Sequence, residues 1–154
     1  NEYTKRPEYR EALKKTGITE TMSLQGSCFM CTREKYWELD LGGESLGNWG
    51  NQGVQLACAT WLSGGRVLVN HKTWYAHMFR TQGSDFGFPW AVSGRDVKKT
   101  KDNVRDLFWY GRHPRQIYPV SWLIKKFAPV SGWNDEDLNK LLEFEAVNTH
   151  FGTK

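Results

Sequence analysis

Apolar residues recur along this chain with two different periods. From Val54 the positions Val54, Ala57, Cys58, Trp61 and Leu62 repeat at helical spacing, and Gly64-Gly65 supplies a stop, which predicts an amphipathic helix. Ser93 with Asp96 three residues later is a capping-box signature opening a second helix, with Val97, Val104, Leu107 and Phe108 on its inner face. Pro119 to Phe127 and Asp135 to Phe144 read as helices packing on the outside, and Arg33 to Leu39 as a short helical turn. Between them, Leu24 to Thr32 alternates small and apolar side chains and reads as a buried strand. Arg66 to Asn70 and Thr73 to Phe79, rich in Val, Trp and Tyr, read as two more. The order is α/β, with no repeats, no low-complexity tract and no obvious linker.

Two loops stand out. Gly42, Gly43, Gly47, Gly50 and Gly53 crowd one short span, as close backbone approach or a plain flexible loop would require. Arg80 to Gly94 carries Phe86, Phe88 and Trp90 and has the length of a functional lid.

Composition narrows the ligand more than the fold. The 154 residues suffice for one globular domain, and no apolar run reaches membrane-spanning length. Aromatics make up 14%, with eight Trp, a supply of flat faces for sugars or bases. A net charge of +4 suits an anionic partner, although such an excess is ordinary for solubility. Three cysteines, Cys28, Cys31 and Cys58, make no disulfide framework and suggest a reducing, cytoplasmic setting. Cys28 and Cys31 form a C-x-x-C without the second ligand pair of a zinc site, and read as half-buried strand cysteines. The chain opens on Asn1 in a polar stretch with no signal peptide, as if cut from something longer.

A more specific signal lies between Leu24 and Gly94. Gln25-Gly26-Ser27-Cys28-Phe29 is followed by Arg33-Glu34, Glu44, and Trp49-Gly50-Asn51-Gln52-Gly53-Val54-Gln55-Leu56. Trp61-Leu62-Ser63-Gly64-Gly65 and Thr73-Trp74-Tyr75-Ala76-His77-Met78-Phe79-Arg80 complete the order. This combination resembles the second half of family 2 glycosyltransferases and their polypeptide N-acetylgalactosaminyltransferase relatives, and bacterial and phage proteins of the same group.

The resemblance implies the acceptor-side half of a GT-A-like mixed-sheet domain, with a motif core over residues 24–94 and a C-terminal helical extension over 95–154. The nucleotide-binding half would be absent from these residues. It implies transfer of a sugar from a nucleotide-sugar donor to a carbohydrate or protein acceptor, assisted by a divalent metal, manganese or magnesium, that stabilises the departing diphosphate. By the same resemblance His77 is the metal-ligand candidate, Arg80 a phosphate contact and Phe86 part of a lid. Trp49 would wall a sugar, though a packing role suits it equally, and Gln25 and Gly26 would follow the sugar edge.

Two departures matter. Gln52 and Gln55 stand where the relatives carry acidic residues, and an amide hydrogen-bonds a hydroxyl but is no general base. An inverting mechanism would then need Glu44 or Asp85 to move in; otherwise the mechanism is of the retaining kind or the protein is catalytically weak. The acidic metal pair is also missing, since Asp135-Glu136-Asp137 follows Asn134 at a helix start and reads as capping. A second chain or an N-terminal region would complete the domain. Two rival readings stay open: an inert, glycosyltransferase-like carbohydrate-binding or scaffold protein, and, third, a nucleic-acid-binding module. Against the last, Lys98, Lys99, Lys101 and Arg105 interleave with Asp102 and Asp106 as a solvated face.

Overall fold

A computed structural model of the protein describes residues 2–47, 49–80, 86–88, 91 and 93–148, with the side chain of Glu44 outside the description. The described residues form helices α1 (Pro7–Thr16), α2 (Arg33–Glu38), α3 (Gln52–Leu62), α4 (Gly94–Trp109), α5 (Val120–Phe127) and α6 (Asp135–Asn148). Strands β1 (Ile18–Glu20) and β2 (Leu68–Asn70) accompany them. The class is mixed α and β, but helices dominate.

The core is built around α3. Its Leu56, Ala57, Ala59, Trp61 and Leu62 are all nearly inaccessible, so the helix is enclosed on most of its circumference, as an almost wholly apolar helix must be. Val54, expected on the inner face, sits in the first turn and is exposed. At the other end Gly64 N–H donates to Trp61 O and Gly65 N–H to Thr60 O, the stop that the Gly-Gly pair predicts. Leu62 O, left without a helical partner, accepts Ile117 N–H at 2.7 Å and Tyr118 N–H at 3.0 Å. That carbonyl therefore ties the connection before α5 to the end of α3.

Capping holds where it was expected. Ser93 Oγ accepts Asp96 N–H at 3.1 Å at the start of α4, and Asn134 Oδ1 accepts Asp137 N–H at 2.8 Å before α6. α4 buries Thr100, Val104 and Phe108, while Lys98, Asp102, Arg105 and Asp106 pair along its exposed side. α5 is not the outer helix its sequence suggested. It buries Val120, Leu123, Ile124 and Phe127 against α3 and α6, and Glu145 of α6 accepts its Ser121 N–H at 3.0 Å. A carboxylate from a neighbouring helix thus fills the role of the missing N-cap.

The expected sheet is the main correction. β1 and β2 pair antiparallel, Ile18 with Asn70, Thr19 with Val69 and Glu20 with Leu68. Leu24 to Thr32 is not a strand; its local tie is a turn bond from Cys28 N–H to Gln25 O, and Cys28 and Cys31 are exposed rather than half-buried. Arg66 to Asn70 is strand only over its last three residues, and Thr73 to Phe79 has no regular structure. A strand needs a neighbour to satisfy its N–H and C=O groups, and no described segment lies alongside either stretch as a partner.

Candidate functional site

The N-terminus of α3 is where separated motif segments meet. Gly53 packs so closely on the Leu24 carbonyl that no side chain fits there, and a Cβ on Gly26 would come within 2.7 Å of Gln52 Oε1. The turn at Gln25 to Ser27 therefore seats directly on the first turn of α3. Ser27 Oγ and Tyr75 OH stand 3.0 Å apart, which brings the segment after β2 to the same turn. Asn51, in the left-handed region at φ 64°, precedes the helix and turns the backbone from Trp49 into Gln52.

The remaining candidates form smaller groups of their own. Trp49 is partly exposed and meets Phe88 edge to face at 5.2 Å between centroids. Arg80 donates to Gly87 O at 2.8 Å, with its guanidinium 4.4 Å from the Phe86 ring centre, so the phosphate-contact candidate Arg80 and the lid candidate Phe86 hold each other. His77 is exposed, its ring edge-on to Phe79 at 4.3 Å. Gln25 and Gln52 are exposed. Gln55 is buried, its amide facing the Gly43 turn rather than the surface. The Glu44 side chain, Asp85 and most of the lid between Thr81 and Val92 lie outside the described residues.

A metal does not fit what is described. Among the described residues no three His, Cys, Asp or Glu side chains converge as a possible cation site, and His77 alone offers one nitrogen to ions that prefer several oxygens. Cysteine chemistry is equally unsupported at Cys58, where burial of the thiol pushes its pKa up to about 12 although the residue keeps some exposed surface.

Two features had no clear sequence signal. His113 is buried against Phe108, with its Nε2 3.1 Å from Leu39 O and its Nδ1 3.3 Å from Arg115 N. A carbonyl on one side and an N–H on the other select the neutral Nε2–H tautomer, and burial lowers the pKa against the opposing pull of Leu39 O and Asp40. The other is a cleft of about 680 Å³ bounded by the N-terminal residues, β1 with the residues after it, Val69 of β2, and the end of α5 with the chain after it. Four distant segments build it, so no local pattern announces it.

No protein family, curated protein or solved structure matches this chain.

Proposed function

We propose that these residues are the acceptor-side half of a glycosyltransferase that moves a sugar from a nucleotide donor to a carbohydrate or protein acceptor. The observation that carries the reading is the seating of Gly26 on Gln52 at the N-terminus of α3, with Tyr75 at Ser27. Three segments of the glycosyltransferase-like motif order, far apart in sequence, share one surface.

In the proposed reaction the acceptor oxygen bonds the anomeric carbon as the bond from that carbon to the diphosphate breaks, and the hydroxyl proton passes to a base. Gln25 and Gln52, exposed amides, are suited to orienting sugar hydroxyls, and neither can take that proton. Glu44 and Asp85 are the chain's carboxylates proposed for it. The divalent metal implied by this reading would neutralise the leaving diphosphate and would need carboxylates from the nucleotide-binding half, with His77 as a single added ligand.

Exposed apolar side chains support a missing half. Trp74 is 85%, Met78 69% and Phe79 65% exposed, and Met30 nearly completely so. Surface of this kind is what a covering partner or an N-terminal region would bury. An inert carbohydrate-binding relative is the second reading, favoured by Gln52 standing as an amide at the centre of the site.

The test is transfer from a panel of nucleotide sugars with manganese, using a chain extended at its N-terminus. Product formation that Gln52→Ala slows by about 10²-fold or more, the scale of a lost transition-state hydrogen bond, is the expected result. Saccharide binding without any transfer would establish the inert reading instead.

A further inference from the structure

A second cleft, of about 540 Å³, opens between α2, the C-terminal end of α3 and the connection before α5. Three cations from separate parts of the chain line it, Lys35, Arg66 and Arg115, with Glu38 as the one carboxylate of the described lining. Local structure sets each of them. Thr32 Oγ1 accepts Lys35 N–H at 3.2 Å and starts α2, which puts Lys35 and Glu38 one turn apart on one face. Arg66 follows the Gly64-Gly65 stop and precedes the buried Val67. Arg115 N–H donates to His113 Nδ1 at 3.3 Å, so its backbone is tied to a buried ring.

Charge is the discriminating observation. Glu38 accepts Lys35 Nζ at 2.6 Å and Arg115 Nη2, while Glu20, outside the cleft, accepts Arg66 Nε at 2.8 Å and Lys126 Nζ at 2.9 Å. Hydrogen bonds from Lys35 and Arg115 hold the Glu38 carboxyl below its ordinary range, so it is ionised at neutral pH. Four cations thus share two carboxylates, and a charge of +2 is left unmatched. Each pair engages a single N–H of its guanidinium or ammonium, which leaves the others for a ligand. The remaining polar groups of the lining offer less. The Thr60 and Ser63 hydroxyls donate back to Leu56 O and Ala59 O, and Gly65 N–H donates to Thr60 O. Leu62 O accepts Ile117 and Tyr118 N–H, which covers a helix-end carbonyl that would otherwise repel an anion.

We propose that this cleft binds a phosphate monoester with an apolar body. A phosphoryl group carries about −1.5 to −2 at neutral pH and matches the unpaired charge, whereas a monocarboxylate matches only half of it. Met30, 98% exposed, and Ile117, 57% exposed, supply accessible apolar surface beside the cations. The volume lies within the range of about 300–1,000 Å³ typical of small-ligand sites. The cleft shares no residue with the Gly26, Ser27, Gln52 and Tyr75 surface, so phosphate binding and sugar transfer can each fail without the other.

Titration of the isotope-labelled chain with phenyl phosphate, inorganic phosphate, benzoate and phenol, at constant ionic strength without metal or nucleotide sugar, tests this by amide chemical shifts. Expected are saturable shifts at Lys35, Gly65, Arg66 and Arg115, with phenyl phosphate binding best, inorganic phosphate and benzoate more weakly, and phenol not at all. Arg66→Gln and Arg115→Gln should each weaken phenyl phosphate by about threefold to tenfold, the scale of a charge-assisted hydrogen bond at an exposed site. Glu38→Gln should tighten it, since it releases two cations, and all three variants should melt near the parent. The cysteines give a second readout. Cys28 and Cys31 are both exposed and only Cys31 lines the cleft, so phenyl phosphate should slow alkylation of Cys31 and leave Cys28 unchanged. Equal affinity for benzoate and phenyl phosphate, weaker binding by Glu38→Gln, indifference to both arginine substitutions, or no saturation at millimolar concentration would overturn the site.

Discussion

Trp61 and Trp74 belong to neighbouring parts of one chain and have opposite fates. Trp61 is 2% exposed in α3, packed edge-on to Phe127 at 5.3 Å, while Trp74 is 85% exposed in a stretch without regular structure. The helical region, α3 to α6, closes most of its hydrogen bonds within each helix and needs neighbours for its apolar faces and for a few helix ends. The strand-like stretches at 24–32 and 73–79 need a partner for every backbone group as well. The difference lies in what each element requires from the rest of the chain, and the side chains themselves are equally apolar.

The sharpest way to break this comparison is to truncate both tryptophans. Trp61→Ala should cost about 3–5 kcal/mol, the range for a buried aromatic, and it also leaves Thr21 O without its donor. Trp74→Ala should fall within about 0.5 kcal/mol. Denaturant unfolding of the two variants checks both, and equal losses would mean that Trp74 is packed in solution.

Glu145→Ala should be the next largest effect. It removes the acceptor of Ser121 N–H at the buried start of α5, an expected loss of about 1–3 kcal/mol in the same unfolding measurement. A change indistinguishable from a surface substitution would show that water replaces the carboxylate.

Acidification should act on the core through His113. Its folded pKa lies below the ordinary 6.5, so the unfolded chain binds the proton more readily, and stability is complete above about pH 6.5 and falls as pH drops through the folded value. Glu20 adds a second loss at lower pH. Burial raises its pKa, but hydrogen bonds from Lys126 and Arg66 outweigh that and hold it below 4.5, so its contribution is present above about pH 4.5 and lost beneath the folded value. Melting temperatures between about pH 7.5 and 5.5, compared with those of His113→Gln, separate the first step; a variant as pH-sensitive as the parent would exclude His113.

The smallest expected effect on stability should carry a large effect on association. Replacing Met78 and Phe79 together by Ser should leave unfolding nearly unchanged and reduce concentration-dependent self-association in sedimentation. Loss of stability without a change in association would place those side chains in the core.

The helices were legible because their signals are local. The Ser93 box, the Gly64-Gly65 stop and the Asn134 cap each name an end, and the structure shows all three. α1 carried signals as well, Pro7 at its first position and Gly17 left-handed at φ 69° after its last, yet its polar composition hid them. β1 is three residues long and pairs across some fifty positions, beyond what alternation reveals. The strands expected at 24–32 and 73–79 failed because residue type expresses a preference for a pleated surface and cannot supply the neighbour. The seating of Gly26 on Gln52, the burial of Gln55 and the cleft at Glu20 all depend on how distant segments pack.

The central claim, that the donor site is not complete within these residues, is tested most directly by calorimetric titration of the monomeric chain with nucleotide sugars and manganese. The account expects no tight, stoichiometric binding of either ligand by the chain alone, because the proposed ligand His77 belongs to no group of three or more His, Cys, Asp or Glu side chains among the described residues. Tight one-to-one binding of both by the monomer would contradict it, since a full donor site would then reside within these 154 residues.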